Sequence, residues 1–154
     1  MTEIALIGAP TNAGAAQSGC QMGAEAYRVA GIAEALTSLG HEVVDRGDVR
    51  PPAPASASHP NPAVKNLGWI VAWTHAIHEA ARRETCFPIF LGGDHSLAAG
   101  TIPAMAERAA ESGKPLFVLW LDAHPDLHTP DTTTSGNMHG SPMAYATGAP
   151  GFHA

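Results

Sequence analysis

Cationic side chains are scarce in this chain: eight Lys and Arg stand against fourteen Asp and Glu among 154 residues, a formal net charge of -6. No basic cluster interrupts that acidic background, so nucleic acid and anionic membranes are not expected as partners. Cysteine is scarcer still. Cys20 and Cys86 lie far apart and neither belongs to a paired Cys motif, so both read as reduced thiols and not as a disulfide or a zinc knot. Long apolar runs are also missing; none approaches the roughly 18 residues a spanning helix needs. The start, Met1-Thr2-Glu3-Ile4, lacks the basic-then-apolar pattern of a secretory leader. A soluble cytoplasmic protein is the expectation.

What the chain does contain is enough apolar residue, 45% of the total, to build one packed core at this length. The 16 glycines and 13 prolines fall mostly between apolar runs, as turns do in a compact fold, which argues against global disorder. Ile4 to Ile7 reads as a buried strand ended by Gly8-Ala9-Pro10. From Ala24 to Leu39, Val29, Ile32, Leu36 and Leu39 recur at helical steps before Gly40, which predicts one helix packed on a sheet. Glu42 to Asp45 predicts a second strand. Residues 49–63, with Pro51, Pro52, Pro54, Pro60 and Pro62 among Ala and Ser, form an exposed irregular loop.

Beyond that loop the pattern predicts a helix over about 64–83, a strand over 88–91, a helix over about 97–111 and a strand over 116–121. Such alternation, with continuous Ile, Leu, Phe and Val in the strands, defines an α/β fold: a three-layer, doubly wound parallel sheet with helices on both faces.

Two of the predicted strands run straight into polar clusters. Phe90-Leu91 leads to Gly92-Gly93-Asp94-His95-Ser96, and Trp120-Leu121 leads to Asp122-Ala123-His124-Pro125-Asp126. Ligands of open parallel sheets bind outside the strand carboxyl ends, so adjacent tips would aim His95, Asp122, His124 and Asp126 into one space. Imidazole and carboxylate without thiolate suit manganese or a similar divalent ion. Asp122, His124 and Asp126 alternate and could share one side of an extended segment. Gly92 and Gly93 would permit a sharp backbone turn beneath the site, and Asp94 would orient a ligand without binding metal. An Asp-x-His-x-Asp standing alone is as readily a solvated loop; its pairing with Gly-Gly-Asp-His-Ser after a strand is what gives it weight.

With these motifs goes a resemblance. Ile7-Gly8-Ala9-Pro10, Tyr27-Arg28-Val29-Ala30-Gly31, Asp45-Arg46-Gly47-Asp48, both ligand clusters and Thr132-Thr133-Thr134-Ser135-Gly136-Asn137-Met138-His139-Gly140 resemble the arginase or ureohydrolase family over nearly the whole chain. That resemblance implies that residues 1–154 are the amino-terminal portion of a single, here truncated, arginase-like α/β domain. It implies two Mn2+ ions per complete active site, with His95 and Asp126 on the first, His124 on the second and Asp122 bridging, while two further aspartates lie farther along. It also implies hydrolysis of L-arginine to L-ornithine and urea by a metal-bridging hydroxide attacking the guanidinium carbon, and a homo-oligomer at full length.

His139 matches the family's proton-shuttling histidine, a role suited to imidazole near neutral pH. Ser135 and Asn137 match contacts to the amino-acid end of arginine, and His128 stands where arginases commonly have Asn, a third such contact. The chain alone is expected to be inactive. Agmatinase or another guanidino hydrolase is the alternative substrate reading, and a non-catalytic metal-binding remnant or split subunit is the alternative class. The remaining histidines have plainer explanations. His75 and His78 read as half-buried or surface residues of a helix, and His41, His59 and His153 as solvent-facing. Trp69, Trp73 and Ile77 read as a packing stripe, and Asp131 as part of a polar loop.

Overall fold

A computed structural model describes residues 1–152 of the chain; His153 lies outside them. The first strand, β1 (Glu3–Ala9), is followed by α1 (Gly23–Val29) and α2 (Ile32–Ser38), then β2 (Glu42–Asp48), α3 (Leu67–Arg83), β3 (Phe87–Gly92), α4 (Ala98–Glu111) and a short α5 (Pro142–Ala146). β1 sits in the middle of a parallel sheet of order β2-β1-β3, with Ile4 opposite Val43 on one side and Phe87 on the other. Every residue of β1 after Glu3 is buried, which is why this strand is apolar throughout instead of alternating.

Helices cover both faces of the sheet. On one face Ile4, Leu6 and Leu91 pack with Ala24 of α1 and with Ile32, Ala33 and Leu36 of α2. On the other, Ala5, Ile7 and Cys86 form a second cluster with Val44, Val49 and Phe90. α3 and α4 pack along one another, α3 burying Ile70, Ile77 and Ala81. Cys20 and Cys86 are both free thiols. Residues 49–63 contain neither helix nor strand.

Among its helices and strands the structure departs from the sequence-based expectations in three places. The helix expected over 24–39 is two helices, divided at Ala30 and Gly31, and Gly31 has φ +83°, outside the helical region. The break turns the second half, so Ile32 and Leu36 meet the sheet while Val29 and Leu39 are 81% and 74% exposed. The stripe on α3 is likewise divided: Ile77 is fully buried and Trp69 is 40% exposed. The strand expected over 116–121 is absent. These residues make no ladder to β3 or to any other described strand, and Phe117, Leu119 and Leu121 are 85%, 69% and 85% exposed. An apolar run becomes a strand only when neighbouring backbone groups satisfy its N–H and C=O groups, and none does so here.

Candidate metal centre

The site begins where β3 ends. Gly93 has an ordinary backbone conformation, and its need for glycine is one of space: a Cβ there would lie 2.3 Å from the Thr11 carbonyl oxygen and 2.6 Å from that of Ala9. The chain therefore passes tightly against the end of β1 before it turns. Asp94 N–H donates to the Thr11 carbonyl at 2.9 Å, and the Asp94 carboxylate caps the short turn His95–Leu97 by accepting from Ser96 N–H. His95 is thus delivered at the carboxyl end of the sheet on a backbone pinned from two directions.

The second contribution comes from residues 120–126. His124 N–H donates to Asp122 Oδ1 at 2.8 Å, a local bond that bends the chain. Asp126 has φ +49°, in the left-handed region. The expected extended alternation over 122–126 therefore does not occur. Asp122 and Asp126 are brought to His95, with its Nδ1 2.8 Å from Asp122 Oδ2 and 3.0 Å from Asp126 Oδ2. The His124 ring is 81% exposed, its Nδ1 3.7 Å from the other Asp122 oxygen. Asp126 is buried, and Ala144 N–H within α5 donates to its carbonyl at 3.1 Å.

One ligand atom each from His95, Asp122 and Asp126 lie within 4.8 Å of one another. This is a partial, three-donor cluster, all nitrogen and oxygen, of the kind that suits a hard or borderline divalent cation. Its electrostatics agree. Burial raises the Asp126 carboxyl above its usual range, the nearby Asp122 charge adds to that, and the His95 imidazole opposes it. The His124 N–H and then the neighbouring imidazoles hold Asp122 low. Two carboxylates converging on one point, one of them out of water, repel unless positive charge sits between them, and the donor set therefore fits a metal.

A cavity of about 440 Å³ opens over the cluster, and its lining includes His95, Asp122, His124, Asp126, His128, Ser135, Asn137 and His139. Every residue singled out for metal, proton transfer or substrate thus faces one space, Asp94 excepted. Asp94 makes no hydrogen bond to the His95 ring; its carboxylate is occupied by the backbone N–H groups of Gly14, Ala15 and Ser96. Two residues escaped the sequence reasoning. Trp120 stacks on the His95 ring, centroids 4.4 Å apart and planes 12° from parallel, and its position two residues before Asp122, on the same side of an extended run, was the available signal. Lys65 Nζ donates to Asn137 Oδ1 at 3.2 Å, a contact across 72 residues that no local pattern announces. Elsewhere, His78 pairs with Glu107 at 3.1 Å and His59 with Asp131 at 3.5 Å.

A parallel sheet with imidazole and carboxylate donors gathered beside the end of β3 defines a metal-binding α/β protein. The family model described as the arginase family matches residues 2–153, and the chain belongs to that family. It is 57% identical over 149 residues to an arginase of Brucella melitensis, a match covering 96% of this chain and 49% of that protein. It is 53% identical over 150 residues to an arginase of Agrobacterium fabrum, covering 96% and 46%. The native arginase structure from Bacillus caldovelox superposes with a TM-score of 0.81 at 32% identity, covering 99% of this chain and 54% of that one. The chain spans about half the length of the curated relatives it matches.

Proposed function

We propose that the chain supplies part of a binuclear manganese site that hydrolyses the guanidinium group of L-arginine to L-ornithine and urea. The observation that carries this reading is the convergence of His95, Asp122 and Asp126 in a chain 57% identical to a protein named arginase. His95 and Asp126 would hold one ion, His124 the other, and Asp122 would bridge them. To hold that ion the His124 ring, now exposed with its Nδ1 3.7 Å from Asp122 Oδ1, would have to turn inward. When bound, manganese lowers the pKa of coordinated water toward neutrality and makes a nucleophile available there.

The chain's own residues do the rest. His139 lines the same cavity as the donor cluster, which supports its role as the group that would carry a proton to the departing amine. Ser135, Asn137 and His128 line it too and would grip the amino-acid end of the substrate. The Lys65 bond occupies Asn137 Oδ1, leaving the amide NH2 of Asn137 to donate to a carboxylate, while the Lys65 ammonium adds attraction for it. That arrangement favours arginine over agmatine, which has no α-carboxylate. The reading also holds that the 154-residue chain by itself is inactive, because three gathered donors leave any ion bound weakly.

Urea release from arginine, agmatine and guanidinobutyrate with added manganese, measured on the full-length protein and on the 154-residue chain, tests both statements. Arginine should be the preferred substrate of the full-length protein, and the chain alone should show no turnover. Preference for agmatine would overturn the substrate assignment, and turnover by the chain alone would overturn the divided site. A non-catalytic metal-binding role draws its support from the same three-donor count, and absence of turnover in both forms, with manganese still bound, would establish it.

A further inference from the structure

We propose that Asp94 is a positioning residue for His139, acting through the peptide of Gly14. The proposal rests on the reading of His139 as the proton carrier.

Asp94 is 4% exposed and has no contact with the cavity. Its Oδ2 accepts from Gly14 N–H at 2.7 Å and from Ala15 N–H at 2.9 Å, and its Oδ1 accepts from Ser96 N–H at 2.9 Å. One carboxylate thus fastens the irregular loop after β1 to the turn that carries His95. The loop then passes the constraint on, because the Gly14 carbonyl accepts the backbone N–H of His139 at 3.4 Å. His95 is the residue next to Asp94 in the chain, and His139 is one peptide removed from the group that Asp94 holds. A buried carboxylate therefore joins the turn of the metal-ligating histidine to that of the proton-carrying one, beside the packing of Ala13 on Met138.

Three further features show that the loop depends on this anchor. It has no ladder or helix of its own around Gly14. Ala16 sits at φ +54°, a conformation an alanine adopts only when its surroundings impose it. Gly14 is packed so closely on Asp94 that a Cβ there would come 2.7 Å from Asp94 Oδ1 and 2.7 Å from Ser96 Cβ. Gly14→Ala should accordingly displace the same loop without altering the carboxylate, which provides a second and independent variant. A carboxylate is required because all three partners are donors. An amide in its place would turn an NH2 group toward at least one of them and leave that pair unmade.

The test is made on the full-length protein carrying Asp94→Asn or Gly14→Ala. Backbone hydrogen exchange is followed by mass spectrometry in peptides covering 12–16, 87–92 and 137–141, alongside steady-state kinetics. Exchange should speed up about tenfold at both 12–16 and 137–141, the loss of roughly one hydrogen bond, and remain unchanged in 87–92. kcat should fall about tenfold and KM should change less, since Ser135 lies outside the loosened segment. Faster exchange confined to 12–16 would overturn the proposal and reduce Asp94 to a loop staple. Equal loosening of all three peptides in both variants would also overturn it. If Asp94→Asn alone unfolds the sheet, Gly14→Ala decides. The exchange readout is independent of turnover: a wild-type protein without urea release would defeat the functional reading while leaving the link from Asp94 to His139 open to confirmation.

Discussion

Two apolar segments of this chain, Phe87–Gly92 and residues 116–121, have similar sequences and opposite fates. Each is a short run of large apolar residues leading into a cluster of Asp and His. The first is a parallel strand against β1, with Leu91 3% exposed. The second makes no ladder and leaves Phe117 85% exposed. Yet both deliver their polar clusters to one place, and His95 meets Asp122 at 2.8 Å. Strand formation and site formation are therefore separable. The first depends on a row of backbone partners, and the second on a few side-chain contacts, including the Trp120 ring stacked on His95.

The comparison breaks most sharply at two leucines. Leu6, fully buried in the middle strand, should cost about 2–5 kcal/mol of stability on Leu6→Ala. Leu119→Ala, at a residue 69% exposed, should change it by no more than about 0.5 kcal/mol. Urea denaturation of each variant measures both, and equal losses would show that residues 116–121 are packed after all. The next largest effect belongs to the site. Asp126→Asn removes the buried carboxylate of the donor set, and manganese affinity should fall roughly a hundredfold or more by calorimetric titration. An unchanged affinity would move the metal elsewhere.

Glu84 bears on the paired segment, lying three residues before β3. Its buried carboxylate takes Arg46 Nε at 2.9 Å and the N–H groups of Thr85 and Cys86. The Arg46 guanidinium above all holds its pKa at about 2, below the ordinary 4.5. A depressed carboxyl binds fewer protons folded than unfolded, so its contribution is complete above pH 4.5 and drains away as pH falls toward 2. Acid unfolding followed by circular dichroism should show that slope, and Glu84→Gln should flatten it. The smallest effect concerns association. Phe117→Lys with Leu119→Lys places charge on an exposed apolar run, and light scattering against concentration should show less self-association than in the unaltered chain. No change would mean that this run is not the adhesive surface.

Much of the architecture could be read before any coordinates. β1, β2, β3, α3 and α4 fall where apolar periodicity and turn residues place them, because each buries its apolar side against the next. The donor types after both runs were legible as ligand chemistry, but the end of the sheet explains only His95, which follows β3; Asp122 and Asp126 reach it with no strand before them. The break at Gly31 was visible as a glycine but not as a break, since helical spacing continues through it. Lys65 on Asn137 and Trp120 on His95 are contacts between distant or differently bent segments, which a linear pattern does not encode.

By itself the sequence determined the layered α/β class, the runs that form β1, β2 and β3 and the presence of imidazole and carboxylate donors of the kind a divalent cation takes, because periodicity and ligand chemistry are local properties. Only the tertiary structure decided that His95, Asp122 and Asp126 gather while His124 faces solvent, that residues 116–121 lie outside the ladder, and that Asp94 clasps the Gly14 loop. Those outcomes depend on which backbone groups find partners across the chain, and partnership is a property of three dimensions.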